Sequence, residues 1–230
     1  MLSFVIPAYN EEKYLAPTLA SIHAAARAVG EPYEIVVAND NSNDGTVQVA
    51  EAGGARVVTV HKRQIAGTRN EGAKAARGDW LVFVDADTQV TQAVVRGVVD
   101  ALRSGVVGGG AGVRFADGPP WVHRWVGVIA FTMRMCGWAA GCFVFARRDA
   151  YEAAGRFDEQ FYASEEIHFS RAMKRQGRFV VLREHVTTSG RKAVKHSRWE
   201  VLKMLFKMAL RGEKSVKSRE LTAFWYPDKR

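Results

Sequence analysis

The stretch Trp80-Leu81-Val82-Phe83-Val84-Asp85-Ala86-Asp87-Thr88 is an apolar run that ends abruptly at two carboxylates separated by one residue. A short continuous run of this composition predicts a buried strand of a parallel sheet. Ligands of open α/β sheets bind at the carboxyl ends of such strands, so Asp85 and Asp87 are expected side by side at the mouth of a site. Two adjacent carboxylates repel each other unless a cation or hydrogen-bond donors hold them. Because such oxygens suit Mg²⁺ or Mn²⁺, the first hypothesis is a metal–diphosphate site, and the alternative is a solvated Asp-rich turn.

Strand and helix patterns alternate through the first half of the chain. Short apolar runs predict strands at 2–7, 34–38 and 55–60. The helices expected between them lie at 14–29, over about eight residues after 46, and at 67–77, with Gly78 as the stop of the last one. This alternation is typical of an α/β fold with a parallel sheet and flanking helices.

The second half of the chain is less regular. The spacing of apolar residues predicts helices at 91–103, 121–135 and 164–176, and strands at 111–115, 142–146 and 179–182. We therefore predict one domain over 1–195, in which 1–100 and 101–195 handle different ligands. A basic amphipathic helix and a tail are predicted at 196–230.

The composition is that of an ordinary soluble protein, since 47% of the 230 residues are hydrophobic and 25% are charged. The apolar stretch 126–145 is interrupted by Arg134 and by Gly137 and Gly141, which argues against a membrane-spanning helix. The first strand lacks the basic flank of a signal peptide. Cys136 and Cys142 have no CxxC spacing and are predicted to be buried thiols. These features predict a cytoplasmic protein in a reducing compartment.

The net charge of +9 comes from the C-terminal part of the chain. Residues 171–230 hold 17 Lys/Arg against 5 Asp/Glu, whereas the first 170 residues hold 16 against 19. This asymmetry favours anionic partners such as phosphates or lipid headgroups. Segment 198–211 has a basic and an apolar face, so it is either a peripheral helix on the inner face of the membrane or a helix packed on the domain. We predict no nucleic-acid binding, because no DNA- or RNA-binding motif is recognisable.

Several motifs follow one another in a fixed order: VIPAYNEE at 5–12, NDNSNDGT at 39–46, GTRNEG at 67–72, ARGD at 76–79, DAD at 85–87, GRFDE at 155–159 and SEE at 164–166. Together they resemble the family 2 glycosyltransferases of the GT-A fold, over residues 1–190. The resemblance implies a Rossmann-like, mostly parallel central sheet flanked by helices, with a smaller C-terminal acceptor-side region. It also implies an inverting enzyme that moves a sugar from a nucleoside diphosphate to an acceptor, with a UDP-sugar as the expected donor.

The resemblance places the nucleotide on the N-terminal half. By position, Asp40 is similar to the acid that accepts the N3–H of uracil, although the family usually has two adjacent acids and this chain has Asn39 before it. The other nucleotide-side residues that the resemblance implies are Pro7, Tyr9, Glu11, Arg69, Asp85 and Ala86. Of these, Arg69 is expected to reach the ribose or the diphosphate. The alternative is that these residues pack or form turns, as is expected of Asp44, which caps a helix.

The resemblance also implies Mg²⁺ or Mn²⁺ as the cofactor. Asp87 is the expected direct ligand, and Asp85 is expected to bind ribose hydroxyls or the metal through water. His185, after the predicted strand 179–182, is similar in position to a further metal ligand and is otherwise a surface or packing residue. A metal at this place would neutralise the departing diphosphate.

An inverting transfer needs a base that deprotonates the acceptor hydroxyl. The family has an acid pair at the start of a helix, and here the pair is Glu165-Glu166. Glu166 replaces the usual Asp and is the predicted base, and Glu165 is predicted to orient it. Both acids are also favourable at a helix N-terminus for electrostatic reasons alone.

The acceptor remains open between a lipid-linked molecule, a small molecule and a glycan. Its pocket is expected to use aromatic residues, namely Trp121, Trp125, Phe131 and Trp138, while Arg191 and Lys192 are expected on a loop that closes over the diphosphate. The competing hypotheses are a nucleotidyltransferase, a non-catalytic nucleotide-binding relative of the same architecture, and a peripheral membrane-binding module. A pyrophosphorylase-type enzyme should have a Gly-rich loop with an activating Lys after the first strand, and this chain has Ala8-Tyr9-Asn10 there.

Overall fold

The computed structural model describes residues 1–117, 134–161 and 165–190. Within them one sheet contains the strands β1 (Leu2–Ala8), β2 (Tyr33–Asn39), β3 (Arg56–Thr59), β4 (Trp80–Val84), β5 (Thr88–Gln89), β6 (Gly108–Phe115), β7 (Phe143–Arg147) and β8 (Phe179–Thr188). The helices are α1 (Glu12–Val29), α2 (Thr46–Ala52), α3 (Ile65–Ala75), α4 (Gln92–Arg103), α5 (Arg148–Ala153) and α6 (Glu165–Lys174).

The strand order is β3-β2-β1-β4-β7-β6-β8-β5. The strands β3, β2, β1 and β4 pair in parallel, as the alternating pattern predicts. β7 lies antiparallel to both β4 and β6, and β6 pairs in parallel with β8. Because β7 is antiparallel to both of its neighbours, β4 and β6 run in the same direction. The carboxyl ends of the parallel strands therefore lie at one edge of the sheet, namely those of β1, β2, β4, β6 and β8. This is the edge at which ligands of open α/β sheets bind.

Two apolar layers cover the sheet, and the alternation of side chains along β1 separates them. On one face Leu2, Phe4 and Ile6 pack with the apolar sides of α1 and α4. On the other face Val5 packs with Phe83 and with the apolar sides of α3, α5 and α6. The site therefore lies on a scaffold that is buried on both faces.

The predicted ends of several elements differ from the structure by one or more residues, and in three cases the packing explains the difference. α3 ends at Ala75, because Gly78 lies against the start of β1, where an added Cβ would be 2.5 Å from the Met1 carbonyl oxygen. β6 begins at Gly108, so the glycine run belongs to the strand: a Cβ on Gly109 would be 2.1 Å from the Val180 carbonyl oxygen. β8 continues to Thr188, because it pairs with β6 well beyond residue 182.

The sequence interpretation also missed two short elements, β5 and α5. Both have six residues or fewer, too short for a period to be read. Most of the predicted helix at 121–135 and the whole of 196–230, including the predicted interfacial segment 198–211, lie outside the described residues. The division of the chain at 195 stays a prediction.

The two cysteines are free thiols in different surroundings. Cys136 is exposed, so the prediction that it is buried is wrong, whereas Cys142 is half-buried. Burial, followed by the charges of Asp85 and Asp87, raises the pKa of the Cys142 thiol, which therefore stays protonated at neutral pH. No helix among the described residues is long and apolar enough to cross a membrane.

Candidate active site

An open pocket of about 400 Å³, which includes solvent at its mouth, lies where β1, β2 and β4 end. Its lining residues are Pro7, Ala8, Tyr9, Glu11, Asp40, Ile65, Thr68, Asp85, Ala86 and Asp87. Seven of these ten were predicted from the sequence as nucleotide- or metal-binding residues, although they come from three separate segments of the chain. The parallel sheet brings them together, since neighbouring strands end at the same edge.

Asp40 follows β2 directly and is buried, with 2% of its surface exposed. Its Oδ1 accepts hydrogen bonds from the backbone N–H groups of Lys62 and Arg63, at 2.8 and 3.0 Å. Its Oδ2 accepts from the hydroxyl of Thr68, at 3.2 Å. These three donors fix the orientation of the carboxylate at the pocket wall, as a group that reads a ligand requires.

Asp85 and Asp87 lie on a loop whose backbone is held from several sides. The Asp85 N–H donates to the Cys142 carbonyl at 3.1 Å, and the hydroxyl of Thr18 on α1 donates to the Ala86 carbonyl at 2.9 Å. The hydroxyl of Thr188, at the end of β8, donates to Asp87 Oδ1 at 3.3 Å. Both aspartates are half-buried and both line the pocket.

These two carboxylates fit a divalent ion that binds together with a diphosphate. Among the described residues, no three His, Cys, Asp or Glu side chains form a ready-made metal cluster. Mg²⁺ usually needs only one or two carboxylates when substrate phosphates and water supply its other ligands. The donor set of Asp85 and Asp87 therefore suits a metal that arrives with its nucleotide.

Among the described residues, Arg69 on α3 is the largest fully buried side chain, with 1% of its surface exposed. Its Nη1 donates to Glu165 Oε1 at 2.7 Å, and its Nη2 donates to Asp85 Oδ1 at 2.8 Å and to the Gly141 carbonyl at 2.6 Å. The guanidinium carbon lies 5.4 Å from the centre of the Phe157 ring. Although burial opposes it, the carboxylates of Asp85 and Glu165 raise the pKa of Arg69 above its ordinary value.

Glu165 and Glu166 begin α6, as predicted, and the two side chains differ in their surroundings. Glu165 is buried and paired with Arg69. Glu166 lies beside Gly141, where an added Cβ would be 3.4 Å from its carboxyl carbon. Burial, and then the charge of Glu165, raise the pKa of Glu166 to about 8. A carboxyl group of this kind takes up or releases a proton near neutral pH, as general acid–base catalysis needs.

Asn70 on α3 and Gln64, which caps the N-terminus of α3, hold the GRFDE segment, 155–159, against the site, and the sequence interpretation missed both residues. The side-chain amide of Asn70 donates to the Phe157 carbonyl at 2.9 Å and accepts from the Tyr151 hydroxyl at 2.7 Å. Gln64 donates to the carbonyl groups of Glu159 and Phe161. The only sequence signal for the contact between Asn70 and Phe157 is that the motifs GTRNEG and GRFDE occur in the same chain.

The structure places His185 away from the pocket wall. The residue is exposed in β8, and its ring lies over Gly112 of β6, where a Cβ would be 2.6 Å from His185 Cδ2. Partial desolvation of the ring, which lies against the strand, and the charges of Arg114 and Arg134 lower the pKa of His185. Metal binding by His185 stays a prediction.

The remaining expectations fall into two groups. Asp44 has the predicted capping role, because its carboxylate accepts from the N–H groups of Thr46 and Glu12 at the starts of α2 and α1. Trp138 is half-buried, and the guanidinium of Arg171 lies 5.4 Å from its ring centre. The other predicted acceptor-side and loop residues, Trp121, Trp125, Phe131, Arg191 and Lys192, lie outside the described residues.

A sheet of this order, with acids of β2 and β4 opening on one pocket, defines a protein of the GT-A fold. The family model described as glycosyl transferase family 2 matches residues 3–176, and the chain belongs to this family. This confirms the family and the fold class that the motifs predict.

Known proteins resemble the chain to different extents. The undecaprenyl-phosphate 4-deoxy-4-formamido-L-arabinose transferase of Shewanella sediminis is 37% identical over 95 residues, which are 38% of this chain and 29% of that protein. The chain spans about a third of the length of the curated relatives it matches.

Two solved structures show the same fold at low sequence identity. Fragment 1–349 of S. aureus TarS has a TM-score of 0.66 at 18% identity, and the match covers 83% of this chain and 61% of that fragment. The mannosyltransferase PcManGT of Pyrobaculum calidifontis, solved with GDP-Man and Mn²⁺, has a TM-score of 0.65 at 16% identity and covers 100% of this chain and 65% of that one.

Proposed function

We propose that the protein transfers a sugar, with inversion, from a nucleoside diphosphate to an acceptor, and that the donor is a UDP-sugar. One observation carries the proposal: acids that follow β2 and β4, Asp40, Asp85 and Asp87, line one pocket at the ligand-binding edge of a family 2 fold. The pocket offers an acceptor for a base N–H and an acidic pair for a metal–diphosphate.

The donor side consists of the residues that line this pocket. Asp40 binds the N3–H of uracil, and Pro7, Tyr9 and Glu11 flank the nucleoside. Asp87, with Asp85 and Ala86 beside it, holds Mg²⁺ or Mn²⁺. When bound, the metal neutralises charge that develops on the leaving diphosphate. The acids can hold this position because the loop backbone is tied to Cys142 and Thr18.

We assign Glu166 as the base for transfer to an acceptor hydroxyl. Its ionised form accepts the proton of an acceptor hydroxyl as that oxygen attacks the anomeric carbon from the face opposite the diphosphate. The raised pKa gives the carboxylate a stronger proton affinity than an ordinary glutamate has, which favours proton abstraction near neutral pH. Glu165 orients this group from its own ion pair with Arg69.

One relative suggests a class of acceptor, and the need for a base distinguishes a phosphate acceptor from a hydroxyl acceptor. The S. sediminis relative is described as an undecaprenyl-phosphate 4-deoxy-4-formamido-L-arabinose transferase. We propose a polyprenyl phosphate as the first acceptor to test, with 198–211 as the segment that contacts the membrane. A phosphate oxygen is already ionised near neutral pH and needs no base, whereas a hydroxyl does. Glu166→Gln should therefore keep turnover with a polyprenyl phosphate and lose it with a hydroxyl acceptor, and unchanged turnover with a hydroxyl acceptor would rule out Glu166 as the base.

Calorimetry with UDP, GDP and CDP, each with and without Mn²⁺, tests the donor side. We expect UDP to bind most tightly and Mn²⁺ to strengthen its binding. If none of the three nucleotides binds in either condition, the proposal is wrong.

A panel of UDP-sugars, assayed for UDP release with and without a polyprenyl phosphate in detergent, then tests catalysis. Nucleotide binding without any turnover of the panel would favour the non-catalytic alternative. Formation of a sugar nucleotide from UTP and a sugar phosphate, with release of pyrophosphate, would favour a nucleotidyltransferase.

A further inference from the structure

Arg69 joins the two chemical halves of the proposed site. Its Nη2 donates to Asp85 on the proposed donor side, and its Nη1 donates to Glu165, which is adjacent in sequence to the proposed base. The Gly141 carbonyl, which precedes β7, accepts from the same arm as Asp85. The three acceptors come from segments that are 16, 72 and 96 residues away from Arg69 in sequence.

The geometry leaves Arg69 poorly placed to bind a phosphate itself. Only 1% of its surface is exposed, and both terminal nitrogens donate to protein oxygens at 2.6 to 2.8 Å. The Phe157 ring packs against the guanidinium. A guanidinium that is held by two carboxylates is a rigid fork, because its planar donors fix the directions of both partners.

The remaining nitrogen of Arg69 is informative. Nε is buried and has no hydrogen-bond partner among the described residues. A buried donor without a partner is unfavourable, and such groups are rare in native proteins. Both terminal nitrogens of Arg69 thus donate to carboxylates, while Nε stays without a partner among the described residues. This is expected of a side chain whose role is to place those carboxylates.

We propose that Arg69 is a positioning residue, which fixes the distance between the metal-binding Asp85 and the acid pair Glu165-Glu166. This inference rests on the proposed function. Asp85 helps to locate the leaving diphosphate, and Glu166 meets the attacking oxygen, so a single buried side chain sets their separation. A displacement of about 1 Å between reacting groups costs on the order of 100-fold in rate. Removal of the guanidinium therefore impairs turnover and leaves nucleotide affinity in place.

The experiment compares Arg69→Lys with the wild type in three measurements: the Kd of UDP with Mn²⁺, and the KM and kcat for the UDP-sugar that is turned over. Lysine keeps the positive charge and cannot hold two carboxylates in a fixed fork. We expect kcat to fall about 100-fold while Kd and KM change less than about threefold. Glu165→Gln, which weakens one arm only, is expected to lower kcat about tenfold at unchanged Kd, and it covers the case in which Arg69→Lys does not fold.

Arg148→Lys is the matched control. Arg148 donates to the carbonyl groups of Gly78, Ala73 and Ala76 at the C-terminal end of α3, away from the pocket. We expect this control to lower the melting temperature and to leave kcat unchanged below the transition.

Two outcomes overturn the inference. An Arg69→Lys protein whose UDP affinity falls tenfold or more shows direct donor contact, as the sequence had suggested. An Arg69→Lys protein that behaves like the control shows a purely structural role. Both outcomes need a wild type that binds UDP and turns over, whereas a wild type that does neither contradicts the proposed function instead.

Discussion

Asp40→Asn is the substitution that tests the nucleotide assignment most directly. Asp40 Oδ1 accepts from two backbone N–H groups, of Lys62 and Arg63, so the oxygen of an asparagine amide must stay there. The amide nitrogen then replaces Oδ2, beside the Thr68 hydroxyl, which can accept a hydrogen bond from it. The substitution thus preserves the local hydrogen bonds and removes one acceptor together with its charge.

The expected loss in UDP affinity follows from this exchange. A hydrogen bond to a charged acceptor contributes about 1.5–3 kcal/mol, and each 1.4 kcal/mol is a factor of ten in Kd. We therefore expect Asp40→Asn to weaken UDP about 10- to 100-fold. Because the three local donors and acceptors stay paired, the free energy of unfolding should change by about 1 kcal/mol or less. CDP should gain relative to UDP, since N3 of cytosine is an acceptor that an amide N–H can meet.

Calorimetry of UDP and CDP at fixed Mn²⁺ measures both effects. Asp44→Asn is the matched control: it makes the same change four residues further on, outside the pocket lining, where the amide oxygen can keep the Thr46 N–H and only the hydrogen bond from the Glu12 N–H is lost. The control should bind UDP as the wild type does. A UDP Kd in Asp40→Asn within twofold of the wild-type value would refute the assignment of Asp40 as the base-reading acid.

Four further predictions concern three other residues. Asp87→Ala should abolish the strengthening of UDP binding by Mn²⁺ and leave metal-free binding unchanged, as measured by calorimetry. With a hydroxyl acceptor, kcat/KM should fall about tenfold per pH unit below about 8, because Glu166 must be ionised. The pKa of Glu166 in the folded protein lies above the unfolded value near 4.5, so folding favours the protonated form and stability is lost as the pH rises from 4.5 to 8. Glu166→Gln should therefore have a higher melting temperature than the wild type at pH 9 but not at pH 4. Tyr151→Phe removes one of the two hydrogen bonds that Asn70 Oδ1 accepts and keeps the one from the Phe157 N–H, so it should lower the free energy of unfolding by about 0.5–1.5 kcal/mol at unchanged UDP affinity.

The N-terminal half of the fold was predictable because its signals are local. Each apolar run of β1 to β4 lies next to a helix with its own 3.6-residue period, and β4 agrees with the prediction at both ends. β6 was misjudged because glycine is poor in isolated strands, whereas close approach of the Phe145 ring and the Val180 carbonyl makes glycine necessary at 109. β8 was cut short because its polar end resembles a loop until its pairing with β6 is known.

The meeting of these acids in one pocket could be predicted because strand direction alone decides which residues meet. Asp40 and Asp85 each follow a strand, and parallel strands deliver their ends to one edge. The partners of Arg69 could not be predicted, since its position on α3 does not reveal that the side chain turns inwards. Glu165 is 96 residues away, and only tertiary packing brings it to 2.7 Å.

These contacts explain what three successive side chains of the GTRNEG motif do in the fold. Successive residues of a helix point about 100° apart, so three neighbours can face three different elements. Thr68 contacts Asp40 on the nucleoside side, Arg69 contacts Asp85 and Glu165, and Asn70 holds the Phe157 backbone. The helix can approach the sheet this closely because of Gly72, where a Cβ would be 2.5 Å from the Val5 side chain. One turn of α3 therefore fixes the acids that line the pocket, the acid pair and the GRFDE segment relative to one another. Because Arg69 contacts both Asp85 and Glu165, we expect a small shift of this turn to change the distance between these two acids.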